Sequence, residues 1–571
     1  MIRFSKKYIF SQGLLILASF FIVGHYAHAD TVGQRNNFFV DSGYDKYFRK
    51  SMTATLRHVS GHAYYYVDDG YWDKLTPAQV TSLNNSISVA AGDFDNVIYP
   101  KETSFWGLEP NPGIDKDPHI TILLEELVKN NGGYFETNNE YPISQVKDSN
   151  EREMIAVNIE ALVVSQTNTK NFIAHEFQHL IGFNQKELIR HVSDDVWLNE
   201  LRSEYSISLV GYNDIYTDSS LQRRVASFLE TPSDSLTEWP NNPIDYGMAN
   251  VFGEYLVEQY GSSILSESLK SQFVGIESIN QYLMAKGYPE KFEDVFANWM
   301  VAAYLGDQSA GSKYGYARYE LKSIRVNPQN KFYFYGPVDS YTSILSIKNW
   351  QPAWSEFSFN IPSSKGIKLE FAPDANQNFI ASYVVFYDSG LPEVGRVSLV
   401  NGRGDAYILN SDKKVKKIML AVTDGQKTSG FETVDQFQNI SVKVSLVDTA
   451  TAKNGILKDG ALMKRPAEPP LYVIGGKYKR YLSPEVIALY GQLNPATAIE
   501  AAPQVFESYA STNYVRFVDD KKVYAVWPDG TKHWLNITAQ QWDASGRDWN
   551  AIFTISDLEL NFYKTGPDIT S

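Results

Sequence analysis

Residues 171–205 read NFIAHEFQHLIGFNQKELIRHVSDDVWLNELRSEY, from Asn171 to Tyr205. Inside this stretch, His175-Glu176-Phe177-Gln178-His179 is an HExxH pentapeptide. Residues four apart on a helix share a face, so both imidazoles can grip one metal ion. Glu176 follows the first His, where its carboxylate can reach a metal-bound water. The apolar flanks predict a buried helix: Phe172, Ile173 and Ala174 before the motif, Leu180 and Ile181 after it. Gly182 is expected as the helix exit.

Two His do not complete a catalytic zinc site, which takes three protein ligands and keeps one position for water. In metzincins the third ligand is a His three residues after a Gly, and Gln185 stands there in this chain. His191, twelve residues past His179, is chemically competent. Glu200 in Trp197-Leu198-Asn199-Glu200-Leu201-Arg202-Ser203-Glu204-Tyr205 is the stronger candidate. Asp194 and Asp195 precede it as N-caps of a second helix. Glu200 and Glu204 share a face of that helix, so one can bind metal while the other accepts a hydrogen bond from a ligand imidazole. An HExxH alone fixes three positions and also occurs in surface helices as a His pair beside a solvated Glu. The downstream acid in an apolar helix favours a metal site, with one zinc per chain.

An HExxH followed about twenty residues later by Glu in an LNE-type helix resembles the gluzincin metallopeptidases, the thermolysin-like group. Within it the chain is most similar to the hyicolysin family of secreted bacterial neutral peptidases. The residues that carry this are Gly132-Gly133-Tyr134-Phe135, then Glu151 through Asn158, HEFQHLI, WLNE, Tyr246-Gly247 through Phe252, and Tyr255-Leu256. The resemblance implies an α+β zincin-like fold. It also implies His175, His179 and Glu200 as zinc ligands, Glu176 as general base, and a downstream Tyr or His that donates to the oxyanion. Tyr246 is the candidate for that donor and His191 the rival. The pattern departs at Leu201-Arg202, where a small residue is expected.

The chain has 571 residues, enough for three or four domains. Arg3, Lys6 and Lys7, an apolar stretch over 8–24 and Ala27-His28-Ala29 read as a signal peptide over 1–29, with an uncleaved anchor as the alternative. The expected location is secreted or envelope-associated. Without Cys there are no disulfides and no lipobox anchor. Losing three basic residues with the signal takes the net charge from −14 to about −17, which argues against non-specific nucleic-acid binding. Aromatic content of 14% points to β-rich domains or carbohydrate-contacting surfaces. A monomer is expected.

Residues 30–310 are read as the metallopeptidase-like domain, a mixed sheet first and a helical half after it. Strands are expected at Ala63–Val67, His119–Leu124 and Met154–Ile159, and a helix over Thr76–Tyr99. His58 and His62 adjoin Gly and read as non-ligands. Asp115 and Asp117 offer oxygens for calcium, although two loop acids are more often solvated. Gly132, Gly133, Tyr134 and Phe135 form a candidate edge strand that pairs with a peptide substrate, or a plain turn. Helices are expected near 221–229, 246–260, 264–273, 279–286 and 292–304.

From 331 to 448 the runs at 331–335, 354–359, 383–387, 416–422 and 440–444 predict an antiparallel β-sandwich without catalytic clusters. The Arg403-Gly404-Asp405 tripeptide within it reads as a chance occurrence. A proline-bearing linker is expected over 449–470. Residues 471–571 carry two degenerate aromatic hairpin repeats about 52 residues apart, Tyr472–Leu482 and Tyr524–Leu535, each followed by a short helix. They are similar to modules appended to bacterial surface and secreted enzymes. Attachment to cell wall or polysaccharide and a purely structural cap are equal alternatives. The overall expectation is a secreted zinc endopeptidase acting on protein or peptide substrates. Its rivals are a surface-binding protein with an inactive metallopeptidase-like part, and a zinc hydrolase of a non-peptide bond.

Overall fold

Alternating side chains build the first sheet. In Ala63–Asp68 (β3), Tyr64 and Tyr66 face one core while Tyr65 and Val67 face another. The computed structural model describes residues 29–570 apart from 289, 336, 398, 400, 411, 412, 432, 458, 466, 467, 502–505, 508 and 519. The signal-peptide reading therefore lies outside the described residues, save Ala29. Arg35–Phe39 (β1), Ser51–Val59 (β2) and β3 run antiparallel; Ile120–Glu125 (β4) and Met154–Asn158 (β6) continue parallel to β3. Gly133–Tyr134 (β5) closes the edge antiparallel to β6, giving the order β1-β2-β3-β4-β6-β5.

The helices pack on the face carrying Tyr65, Ile122, Leu124, Ile155 and Val157. Pro77–Asp93 (α1) starts on a Thr76/Gln79 capping box and runs through a π-turn over Phe94–Ile98 into Tyr99–Trp106 (α2). Gln166–Phe183 (α3) and Val196–Leu209 (α4) carry the HExxH and LNE segments. They are followed by Ser220–Glu230 (α5), Pro243–Tyr260 (α6), Ser263–Leu269 (α7), Gly275–Ala285 (α8) and Phe292–Leu305 (α9). Among the described residues no helix is long and apolar enough to cross a membrane.

Two local expectations are corrected. Gly182 does not end its helix, because α3 runs on into a π-turn over Asn184–Leu188. Its missing side chain instead makes room for α4, since a Cβ there would lie 3.2 Å from Asn199 Oδ1. Asp195 occupies the N-cap of α4, but no side chain caps that helix. The Asp194 carboxylate is drawn away by buried Arg202 at 2.6 Å and by the Gly275 amide at 2.7 Å. Arg202, at the position where a small residue is expected, thus locks the start of α4 to the α7–α8 region through Asp194 and Ser268.

The helical core does not stop at 310. Tyr316, Leu321, Ile324 and Val326 belong to it, as do Trp350 and Trp354. Trp350 packs on Phe292 and Phe296, and Trp354 Nε1 donates to Met300 O at 2.9 Å. Two sheets follow, one four-stranded and one five-stranded. The pairing is antiparallel except that Asn330–Phe334 runs parallel to Ala353–Phe359. The intervening strand Ser340–Ile347 lies in the other sheet, so the chain returns in its original direction. Strands Lys365–Pro373, Glu393–Val397 and Gly404–Ile408 also escaped the sequence reading. Gly404 and Asp405 of the tripeptide are paired into a sheet opposite Phe371 and Glu370.

Half of the stretch read as an extended linker over 449–470 lies in a helix and a strand. Thr449–Ile456 is helical, and Gly455 lies where a Cβ would strike the Tyr407 ring. Leu462–Lys464 then pairs antiparallel with Leu471–Gly475, which pairs with Tyr478–Leu482. Ile499–Glu500 and Ala510–Ser511 add parallel edges to that meander. Tyr514–Phe517, Tyr524–Val526 and Thr531–Trp534 form a second meander, edged in the same way by Phe553–Ile555 and Lys564–Thr565. The helices Pro484–Ala488 and Ala539–Ala544 start on Ser483 and Thr538 caps. A buried pair, Arg480 with Glu559 at 2.6 Å, ties the two units together.

Candidate metal centre

The two imidazoles of α3 and the acid of α4 converge. His175 Nε2 and His179 Nε2 lie 3.2 Å apart, and Glu200 Oε2 lies 3.2 Å from the first and 3.5 Å from the second. Four-coordinate zinc with bonds of about 2.0–2.1 Å separates its ligand atoms by roughly 3.3 Å, so this triangle fits such an ion. A second observation agrees: apart from the two imidazoles, buried Glu200 Oε2 meets no donor, and a cation shared with the rings would satisfy it. Among the described residues this is the one His/Asp/Glu group whose three ligand atoms lie within 4.8 Å of one another.

The local field suits a cation. Burial opposes charge on His175, yet Glu200, Glu204 and Glu176 outweigh it and raise its pKa to about 10. Burial pushes the Glu200 carboxyl up, but His179 and His175 win and hold it well below the usual carboxylate range. Glu176, almost fully buried, is pushed up by burial, with His175 and His179 opposing.

Both imidazoles are braced. His175 Nδ1 lies 3.4 Å from Glu204 Oε1. Arg224 of α5 grips both oxygens of Glu204, at 2.8 and 2.6 Å, and stacks over the Tyr246 ring at 4.6 Å. His179 Nδ1 lies 3.1 Å from Ser203 Oγ, which donates to Gln178 Oε1. Ser203 was legible as the residue three after Glu200, on the same helical face; Arg224 left no signal in the sequence.

Gly133 of β5 abuts Glu176. A Cβ there would lie 2.8 Å from Glu176 Cγ and 2.8 Å from Ala156 O, so only glycine lets the strand come this close. Gly132 is equally restricted, its Cβ position lying 2.2 Å from the Phe172 ring. Tyr134 points to the opposite face, donating to Glu125 at 2.8 Å, and Phe135 returns to line a hollow beside His179, Phe183 and Val196. Among the described residues β5 pairs on one side alone, with β6.

Tyr246 stands over the site, its ring 6.1 Å from that of His175 and its hydroxyl donating to Asn241 at 2.8 Å. Tyr44, absent from the sequence reading, stacks on Tyr134 at 4.9 Å. Burial and the Glu176 charge push the Tyr44 phenol up to about 12, against an opposing hydrogen bond from Asn241. His191 is exposed in a left-handed turn (φ 58°) and outside the ligand triangle. Gln185 is taken up by Leu108 O and Arg190. His62 pairs with Asp95, as a non-ligand. Asp117 accepts from Tyr64 at 2.7 Å and lies 2.6 Å from His119 Nδ1.

No family model matches the chain. The neutral metalloprotease ShpI of Staphylococcus hyicus is 26% identical over 244 residues, covering 38% of this chain and 50% of that protein. The chain thus spans about half the length of this relative. Among solved structures, the periplasmic g-type lysozyme inhibitor PliG of Aeromonas hydrophila is 14% identical over 21% of this chain and 99% of its own, with a TM-score of 0.15. The pre-peptidase C-terminal domain of collagenase from Bacillus anthracis is 12% identical over 21% of this chain and 97% of its own, also at 0.15. Superpositions that small carry no argument about the fold.

Proposed function

We propose that the chain is an exported zinc endopeptidase of gluzincin type that resembles the hyicolysins. The observation that carries this reading is the triangle of His175, His179 and Glu200 with Glu176 beside it. The partial likeness to a neutral metalloprotease supports it from an independent side. His175, His179 and Glu200 would hold one zinc per chain. Such an ion polarises a carbonyl and acidifies a water.

The remaining work falls to the chain's own groups. Glu176 takes the proton from the attacking water on its carboxylate and passes it to the leaving amine nitrogen. Its upward shift suits the first transfer, because a more basic carboxylate takes the proton from water more readily. Glu204 keeps His175 in one tautomer and orientation. The outer edge of Gly132–Phe135 pairs with the substrate backbone and lays a peptide bond across the site. Tyr246, on leaving Asn241, donates its hydroxyl hydrogen bond to the developing oxyanion.

Substrates are then extracellular proteins or peptides. The two C-terminal units, read as copies of one module, would hold the enzyme to cell wall or polysaccharide. The test is casein cleavage by the wild type, with and without a zinc chelator, beside Glu176→Gln. We expect chelator-sensitive cleavage by the wild type and none by a variant that still binds zinc. An inactive wild type would favour the surface-binding reading, and an active Glu176→Gln would remove this base.

A further inference from the structure

The two C-terminal units share a scaffold, yet one carries a stretch of added chain that the other lacks. Their registers correspond: Leu471 pairs with Leu482 in the first, and the Leu535 amide donates to Val523 O at 2.9 Å in the second. Ile487 and Trp542 are each the fourth residue of the capped helix that follows. In the second unit Val523, Leu535 and Trp542 are buried together, and Ile569 packs against them. Ile569 arrives on the chain's own tail. Lys564–Thr565 runs parallel to Thr531 and Lys532. Further on, the Ile569 amide donates to Trp534 O at 2.8 Å and Ile569 O accepts from the Asn536 amide at 2.8 Å.

The first unit begins this edge and then abandons it. The Ala510 and Thr512 amides donate to Lys477 O and Lys479 O, as those of Lys564 and Gly566 donate to Gly530 O and Lys532 O. The chain then leaves, because Tyr514–Phe517 is already a strand of the second unit. Alternate residues of an antiparallel strand turn their backbone groups away from the partner strand. With Gly475 paired to Tyr478 across a two-residue turn, Tyr481 O therefore faces the same outer edge as Lys479 O. Among the described residues no amide meets Tyr481 O as Ile569 meets Trp534 O. Beside this edge lies an open hollow of about 400 Å³, lined by Pro469, Pro470, Leu471, Leu482, Ile487 and Pro495. Leu471, Leu482 and Ile487 are the counterparts of Val523, Leu535 and Trp542, so the hollow falls where Ile569 packs in the second unit. Its prolines have a fixed backbone and no N–H, which keeps the wall stiff and apolar.

We infer that this groove binds an extended polypeptide segment of a partner protein, added as a strand along Tyr481 with a branched aliphatic side chain in the hollow. The second unit supplies the chemistry of the occupant, since the same scaffold holds residues 566–569 in this way. Backbone bonds along the edge fix the segment, and the hollow selects its side chain. No charged residue lines the hollow, which disfavours a charged ligand. Occupancy of this groove requires neither the peptidase reading nor attachment to polysaccharide.

The probe is a fluorescent synthetic peptide with the sequence of residues 564–571, titrated by anisotropy into the full chain. We expect saturable binding. Replacing the peptide's Ile569 by Asp, or methylating its backbone nitrogen, should weaken binding by about 10-fold or more, the first through lost apolar burial and the second through the lost donor. A photo-crosslinker in place of the peptide's Thr570 should label residues 469–487. Leu471→Lys in the full chain should weaken binding by a similar factor; should it fail to fold, Pro470→Asp at the rim makes the same comparison. No binding, equal affinity for the Asp peptide, or affinity unchanged in these variants overturns the inference. Labelling confined to 523–542 overturns it too, because the peptide has then only displaced the chain's own tail. Self-association of the chain that excess peptide dissolves would make the occupant a second copy and overturn the assignment to a separate partner.

Discussion

Replacing Glu204 with Gln tests how the metal centre is built. Glu204 is fully buried, 3.4 Å from His175 Nδ1, and held through both oxygens by Arg224. The amide keeps the shape and one accepting oxygen but loses the charge that orients His175 and raises its basicity. Removing a partner of this kind weakens metal binding by about 10–100-fold, or roughly 1.4–2.7 kcal/mol. The metal-free fold also suffers, because Arg224 loses half of its bidentate partner. That loss should stay below the roughly 3–5 kcal/mol of a fully broken buried pair, since one hydrogen bond survives and the Arg224 side chain is 24% exposed. The assay is a zinc titration against a chromogenic chelator, with melts of the metal-free protein and casein hydrolysis at saturating zinc. We expect weaker binding, a modestly lower melting temperature and activity largely recovered by excess zinc. A folded Glu204→Gln protein with unchanged zinc affinity would refute the bracing role.

Two further substitutions probe β5 and its support. Gly133→Ala places a methyl 2.8 Å from Glu176 Cγ and from Ala156 O. It should cost about 1–3 kcal/mol of stability and up to about 100-fold in kcat, read from melts and peptide kinetics; full activity would mean that β5 does not fix the base. Glu125, which accepts from Tyr134 behind that strand, is pushed by burial from 4.5 to about 8. The folded state therefore keeps a proton that the unfolded chain has released between those values, so this group's contribution to stability falls as pH rises through the window. At about 1.4 kcal/mol per unit the total reaches a few kcal/mol. Glu125→Gln should flatten the slope and stabilise the protein on the alkaline side, measured by urea melts on either side of the window.

The i,i+4 spacing of His175 and His179, and of Glu200 and Glu204, was legible because helix geometry is local: hydrogen bonds between near neighbours set which residues share a face. Unbroken runs of β-branched, aromatic and aliphatic residues made Tyr64–Val67 and Ile120–Leu124 legible as strands. The failures were of another kind. Gly182 read as a helix exit because sequence does not show that α4 lies against it, and 449–470 read as a linker because prolines hide the pairing of Leu462–Lys464. Tyr44, Arg224 and Asn241 reach the centre from three separate segments, and nothing at their own positions marks them.

The sequence by itself determined that two imidazoles and two acids lie on the faces of two helices, since a regular backbone dictates that from spacing alone. Only the tertiary structure decided that Glu200 rather than His191 meets the rings and that Gly133 touches Glu176. Those distances follow from how whole elements pack, and packing depends on side chains far apart in the chain that no local pattern records.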